Sequence, residues 1–175
     1  MITMACCCGV RLGETLHLTW ADLDFDEQTV RVVCKPAAGT TEARTPKDKN
    51  MRSVPLPSEA VNVLTKLQLE AVIGHLYVFV NSKGPAAGQR VKRQNITRDY
   101  GIIRRRAGVP KCKFHDLRKS YCTNLAGSVP LHVVQELAGH SDIRTTQKHY
   151  LQVRQEHIEA ARRAVEEVMK SCSRS

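Results

Sequence analysis

Lys113 to Val153 reads KFHDLRKSYCTNLAGSVPLHVVQELAGHSDIRTTQKHYLQV, and nearly every side chain in it with an obvious chemical use is basic, imidazole or phenolic. The acid that touches the motif in its first half is Asp116. His115 and Arg118 stand three apart, which on a helix puts both on one face about 5 Å apart, so an imidazole and a guanidinium can converge on one anion. Further along come Gly139-His140 and then Tyr150. A fork-shaped cation, two imidazoles and a phenol suit attack on a phosphodiester, with the phenol as nucleophile and the cations neutralising the developing charge. The stretch reads as a phosphoryl-transfer site.

HxxR at His115, LAGH ending at His140 and TTQKHY ending at Tyr150 together resemble the C-terminal signature of the tyrosine recombinase (phage integrase) family. That family's catalytic set begins upstream with an Arg in a T-G-x-R-x-x-E-like segment. Here Cys8-Gly9-Val10-Arg11-Leu12-Gly13-Glu14 fills that place. TPKDKNMRSVPLP is similar to the family's β-hairpin, which carries a Lys shortly before a V-P-L strand end, and its Lys47 matches that Lys. Each motif alone is weak, whereas four in the expected order are specific. The resemblance covers residues from about 5 to about 155.

The resemblance implies a site made of Arg11, Lys47, His115, Arg118, His140 and Tyr150. Tyr150 forms a 3′-phosphotyrosyl DNA intermediate and frees a 5′-hydroxyl. Arg11 and Arg118 clamp the non-bridging oxygens, in the bidentate manner guanidinium favours. Lys47 is the candidate acid for the leaving 5′-oxygen, and His115 and His140 hydrogen-bond the phosphate. Neither cofactor nor metal is expected, and religation needs no ATP because the phosphotyrosyl ester keeps the energy of the broken bond. A phenol with its ordinary pKa near ~10 is mostly neutral at pH 7, so Tyr150 must lose its proton during attack. His140 follows a helix-ending Gly and is also readable as a turn residue. Glu14 either orients Arg11 or is a surface acid.

Charge placement agrees with a DNA partner. Net charge is +10 at pH 7. Residues 1–85 balance at nine basic and nine acidic side chains, whereas residues 86–120 hold eleven basic and two acidic. A local block of this kind is the electrostatic footprint of a phosphate backbone, or else a solvated basic face. The seven cysteines include Cys6, Cys7 and Cys8 in a row and show no C-x-x-C spacing, so neither a disulfide framework nor a zinc site is indicated. Reduced thiols suit a cytoplasmic protein. No apolar run reaches a membrane span, so no membrane partner is expected.

The expected fold is α+β, mainly helical with a small antiparallel three-stranded sheet. Met1 to Cys8 reads as a helix end capped by Gly9, and Arg11 to Leu23 as an amphipathic helix carrying Leu12, Leu16 and Trp20 at four-residue spacing. Thr29 to Cys34 and Met51 to Leu56 read as strands, and Tyr77 to Val80 as a short buried strand. Helices are expected from Pro57, over Lys92 to Ala107, over His115 to Ala126, from Pro130 to Gly139, over Ser141 to Tyr150 and over Arg154 to Lys170, with a loop at Asn81 to Gln89. Tyr77, Tyr100 and Tyr121 look like packing residues. Residues 1–175 are expected to form one catalytic domain whose front end is truncated relative to the family, with the family's N-terminal core-binding domain absent.

The seam of Ile158, Ala161, Val165 and Val168 makes residues 154–175 a candidate segment for docking on a neighbouring protomer, as in the family's DNA-bound tetramers, or for folding back on its own domain. The function expected is site-specific DNA recombination or integration in a mobile element. A type IB topoisomerase-like enzyme and a non-catalytic DNA-binding remnant stand as alternatives. Arg11, Arg118 and Tyr150 are expected to line a cleft and not to fill the core, so their truncation should abolish cleavage and leave thermal melting nearly unchanged.

Overall fold

The computed structural model describes residues 1–33, 51–71 and 74–140, together with Arg162, Arg163, Val165 and Glu166 near the C-terminus. Lys47, Tyr150, the expected helix at Ser141 to Tyr150 and most of the C-terminal helix lie outside the described residues. Six α-helices are described: α1 (Ile2–Cys6), α2 (Leu12–Leu16), α3 (Ser58–Leu69), α4 (Arg93–Arg106), α5 (Phe114–Leu125) and α6 (Leu131–Ala138). Strands β1 (Leu23–Asp24), β2 (Thr29–Val32) and β3 (Arg52–Pro55) form one antiparallel sheet in the order β1-β2-β3.

The sheet follows from period-two alternation. Val30 pairs with Val54 and Val32 with Arg52, and all four face inward, while Arg31 and its partner Ser53 are exposed. Val30, Val32 and Val54 then join Met4, Val10, Leu18, Leu56 and Leu64 in the main core, so α1 and α3 cover the sheet's inner face. A second cluster of Cys122, Ala126, Val134 and Ala138 packs α5 against α6. The third joins Ala5, Tyr100 and Phe114, whose rings meet edge to face at 5.4 Å and 77°. It seats the basic helix α4 on α5.

Two expectations are corrected. The helix expected over Arg11 to Leu23 stops at Leu16, and Trp20–Asp22 forms only a 3-10 turn. Asp22 Oδ2 accepts from the backbone N–H and the hydroxyl of Thr19, both at 2.7 Å, and local side-chain bonds of this kind compete with helix. The backbone there pairs elsewhere: Val78 N–H donates to Leu18 O at 2.9 Å and Trp20 N–H to Leu76 O at 3.2 Å. That same pairing leaves Tyr77 and Val80 in isolated bridges, to Thr19 and Arg90, and the third strand of the sheet is Leu23–Asp24. On α4, Tyr100 packs inward as expected, with Ile96 beside it, while Ile103 is half exposed.

Gly9 matters more than as a cap. Its φ is +62°, and a Cβ there would lie 2.3 Å from Cδ1 of Tyr121. Only glycine lets the chain turn from α1 into α2 this close to the Tyr121 ring on α5.

Candidate active site

Arg11 is the N-cap of α2, extended at φ −65° and ψ 145°. Its backbone N–H donates to Glu14 Oε2 at 2.9 Å, so the acid that satisfies the helix start also lies under the guanidinium. One Nη of Arg11 meets Glu14 Oε1 at 3.2 Å, and the other donates to the backbone carbonyl of Gly139 at 2.6 Å. Glu14 is 2% exposed. It is a buried hub and not a surface acid.

Arg118 projects from the inner face of α5 and is 2% exposed. One Nη donates to Gly9 O and the other to Ala138 O, tying the chain before α2 to the end of α6. Burial first, then the neighbouring Arg11, pushes its pKa down to about 10, so it stays charged at neutral pH. The expectation of a cleft-lining Arg118 that contributes nothing to the core is therefore corrected. Its guanidinium fastens the carbonyls of Gly9 and Ala138 inside the protein.

His115, on the same helix, is exposed at the surface. Partial desolvation, then the cations Arg118 and Lys119, hold its pKa below the ordinary value, which keeps the imidazole neutral at neutral pH. Asp116 caps α5 by accepting from Lys113 N–H at 2.7 Å and pairs with Lys119 at 2.8 Å, so it is structural. His140 follows Gly139, which ends α6 in the left-handed conformation at φ 63° and ψ 50°. Its N–H donates to Gln135 O at 3.1 Å, and its own carbonyl accepts from Gln135 Nε2 at 3.1 Å.

Arg11 and Arg118 thus reach adjacent carbonyls, Gly139 and Ala138, at the turn that carries His140. One guanidinium went unread in the sequence. Arg52 on β3 is 9% exposed and donates to Leu137 O at 2.8 Å and to Glu14 Oε2 at 2.7 Å. Period-two alternation in RSVPL, which sets Arg52 on the same face as Val54 and Leu56, is the signal that would have found it. An apolar cavity of about 300 Å³ lined by Leu67, Tyr77, Phe79 and Val91 contains none of these arginines. No helix of the described residues is long and apolar enough to cross a membrane.

A small sheet backed by helices, with arginines gathered at one helix end, has the fold of a DNA-recombinase catalytic domain. The model of the phage integrase family matches residues 1–157, and the chain belongs to that family. A tyrosine recombinase XerC-like protein of Caldanaerobacter subterraneus subsp. tengcongensis is 36% identical over 167 residues, covering 83% of this chain and 43% of that protein. The XerD tyrosine recombinase of Chlorobaculum tepidum is 33% identical over 147 residues, covering 79% and 43%. The chain therefore spans under half the length of these curated relatives. Among solved structures, the integrase of transposon Tn1549 in complex with a circular-intermediate DNA superposes with a TM-score of 0.74 at 19% identity, over 93% of this chain and 57% of that one. The integrase of mycobacterium phage Brujita superposes at 0.58 with 26% identity, over 79% and 41%.

Proposed function

We propose that this chain is the catalytic part of a site-specific DNA recombinase that cuts and rejoins duplex DNA through a covalent 3′-phosphotyrosyl link. The convergence of Arg11 and Arg118 on one helix end, beside His140 and within the field of His115, carries the reading. Two guanidiniums brought together at one helix end suit the non-bridging oxygens of a phosphodiester. Tyr150 Oη attacks phosphorus, a P–O bond to tyrosine forms, and the P–O5′ bond breaks. The 5′-oxygen takes a proton from Lys47. His115, neutral at rest, can accept the phenol's proton or hydrogen-bond the phosphate, and His140 stands beside the same oxygens. Religation reverses these steps.

The test is covalent capture on a nicked suicide duplex, with the cognate site selected from a randomised pool. Wild type should give a protein–DNA band on a denaturing gel, and Tyr150→Phe should give none, a loss on the order of 10³-fold or more. A band that persists in Tyr150→Phe would assign the nucleophile elsewhere.

Duplex DNA is the partner, and α4 is the surface offered to it. Arg93, Arg98, Arg105 and Arg106 are exposed on this helix, which has Asp99 as its acid. Contacts of this kind position the backbone without reading bases. Retention of labelled duplex should fall steeply with salt, by about a hundredfold or more between 50 and 200 mM, whatever the sequence. A flat response would remove α4 from the interface.

The relatives support a recombinase above a topoisomerase. On this reading the protein works in the cytoplasm where its DNA lies, its described cysteines remain free thiols, and protomers assemble as a tetramer on two duplexes through residues 154–175.

A further inference from the structure

Arg52 has no part in the chemistry just proposed, yet it is nearly buried. A guanidinium out of water is tolerated only when its N–H groups are met. Nη2 and Nη1 bind Glu14 Oε2 and Oε1 at 2.7 and 3.3 Å, while Nε donates to Leu137 O at 2.8 Å. Three successive carbonyls at the end of α6, on Leu137, Ala138 and Gly139, are thereby taken by Arg52, Arg118 and Arg11 in turn. The last turn of a helix carries its negative dipole end and its unpaired carbonyls, which is why cations collect there.

The fit on the other side is equally tight. A Cβ on Gly139 would lie 2.7 Å from Nη1 of Arg52 and 3.0 Å from its Cζ. Gly139 therefore answers two demands, a left-handed φ and the passage of this guanidinium. Glu14 accepts from Arg52 and Arg11 at once, so Arg52 joins β3, the Arg11–Glu14 pair and the turn into His140.

We propose that Arg52 is a positioning residue, which fixes the Gly139–His140 turn and the Glu14–Arg11 pair relative to each other without touching the phosphate itself. The part of this concerning cleavage rests on the recombinase reading; the part concerning the turn does not. Arg11 and His140 would be set from one point. Lysine keeps the charge but lacks the planar fork, so it cannot reproduce the paired bonds to both Glu14 oxygens together with the bond to Leu137 O.

The test compares the full chain with Arg52→Gln, Arg52→Lys and Gly139→Ala in two measurements. Amide exchange followed by NMR reads the turn through the N–H groups of Gly139 and His140, bonded to Glu136 O at 2.9 Å and Gln135 O at 3.1 Å. Those two amides should exchange about tenfold faster in Arg52→Gln, while Val30 and Val54 in the sheet change little. A purely global destabilisation would move all four together and would overturn the proposal. Single-turnover cleavage of the captured duplex should fall by about a hundredfold, as for a misplaced catalytic group, with duplex retention within about twofold of wild type.

Arg52→Lys should recover part of both losses, and Gly139→Ala should reproduce them by pressing on Arg52. Cleavage by Arg52→Gln within about twofold of wild type overturns the proposal, as does lost cleavage with both turn amides still protected. If Arg52→Gln does not fold, Arg52→Lys and Gly139→Ala decide by the same criteria. If wild type forms no adduct, the recombinase reading has failed, and the exchange measurement alone decides whether Arg52 holds the turn.

Discussion

Arg118→Ala is expected to abolish covalent capture of DNA, by on the order of 10³-fold, and to lower the melting temperature as well. The second half of this result is unusual for a catalytic side chain. Arg118 donates to Gly9 O and Ala138 O, and both carbonyls lose a partner when the guanidinium is removed. A buried acceptor left unsatisfied costs about 1–3 kcal/mol, so two would cost about 2–6 kcal/mol. Against this, burial and the neighbouring cations already disfavour the charged state, as the pKa of about 10 shows, and deleting the charge returns up to about 3 kcal/mol. Taken at the middle of its range, about 4 kcal/mol, the carbonyl cost exceeds that return by about 1–4 kcal/mol, roughly 2–16 °C for a domain of this size. Arg118→Lys keeps the charge and one bond, so it should melt between the two and still cleave poorly, since a point charge cannot bridge two phosphate oxygens. Scanning calorimetry with the nicked-duplex gel separates the effects. An unchanged melting point would mean that the carbonyl ties contribute nothing to folding, and wild-type adduct yield would take Arg118 out of the chemistry.

The double role of Arg118 marks where sequence reading stops. HxxR spacing places His115 and Arg118 on one helical face because helix periodicity is local, and α5 begins at Phe114 and ends at Leu125, close to the expected bounds. Gly139 is legible as a helix end for the same reason. Burial depth is not local. Nothing within α5 says that Gly9 O, from the far end of the chain, will meet Arg118, because that contact depends on how α1 packs on α5 and on the glycine that lets the chain pass beside the Tyr121 ring. Arg11 to Leu23 failed in the opposite direction. Its apolar spacing is helical, but the Thr19–Asp22 bonds and the bridge to Tyr77 outweigh periodicity after Leu16. Arg52 stood in view within a clean alternating strand whose period sets it inward, but its partner Glu14, 38 residues away in sequence, is not legible from that strand. Of the proposed site, Arg11 and Arg118 meet at the end of α6 next to His140, and His115 stands on α5 within the field of both arginines.

Glu14→Ala is expected to destabilise the domain by about 3–5 kcal/mol, the usual loss when one member of a buried ion pair is removed. The side chains of Glu14 and Arg52 are 1% and 4% exposed, so solvent screens the pair little. Truncation leaves Arg52 charged in the interior and takes the acceptor from the Arg11 N–H at the start of α2. Burial by itself would raise the Glu14 pKa, but hydrogen bonding and charge from Arg52, with the contributions of Arg11, outweigh it and hold the carboxyl below its ordinary 4.5. The pH dependence follows in sign. A carboxyl depressed in the folded state contributes stability that is fully present above its unfolded pKa and is lost as pH falls through the folded one. Urea denaturation from about pH 7 down to about pH 3 should therefore show wild type losing its advantage over Glu14→Gln below about pH 4.5. Glu14→Leu combined with Arg52→Met, which exchanges the pair for apolar side chains, should regain most of the stability lost in Glu14→Ala, because neither member of the pair is left charged without its partner. It should not regain cleavage, since Arg11 then lacks the carboxylate that orients it. Parallel wild-type and Glu14→Gln curves across the whole pH range would show that the carboxylate's charge stabilises nothing, and a double variant that cleaves like wild type would confine the Glu14–Arg52 pair to stability.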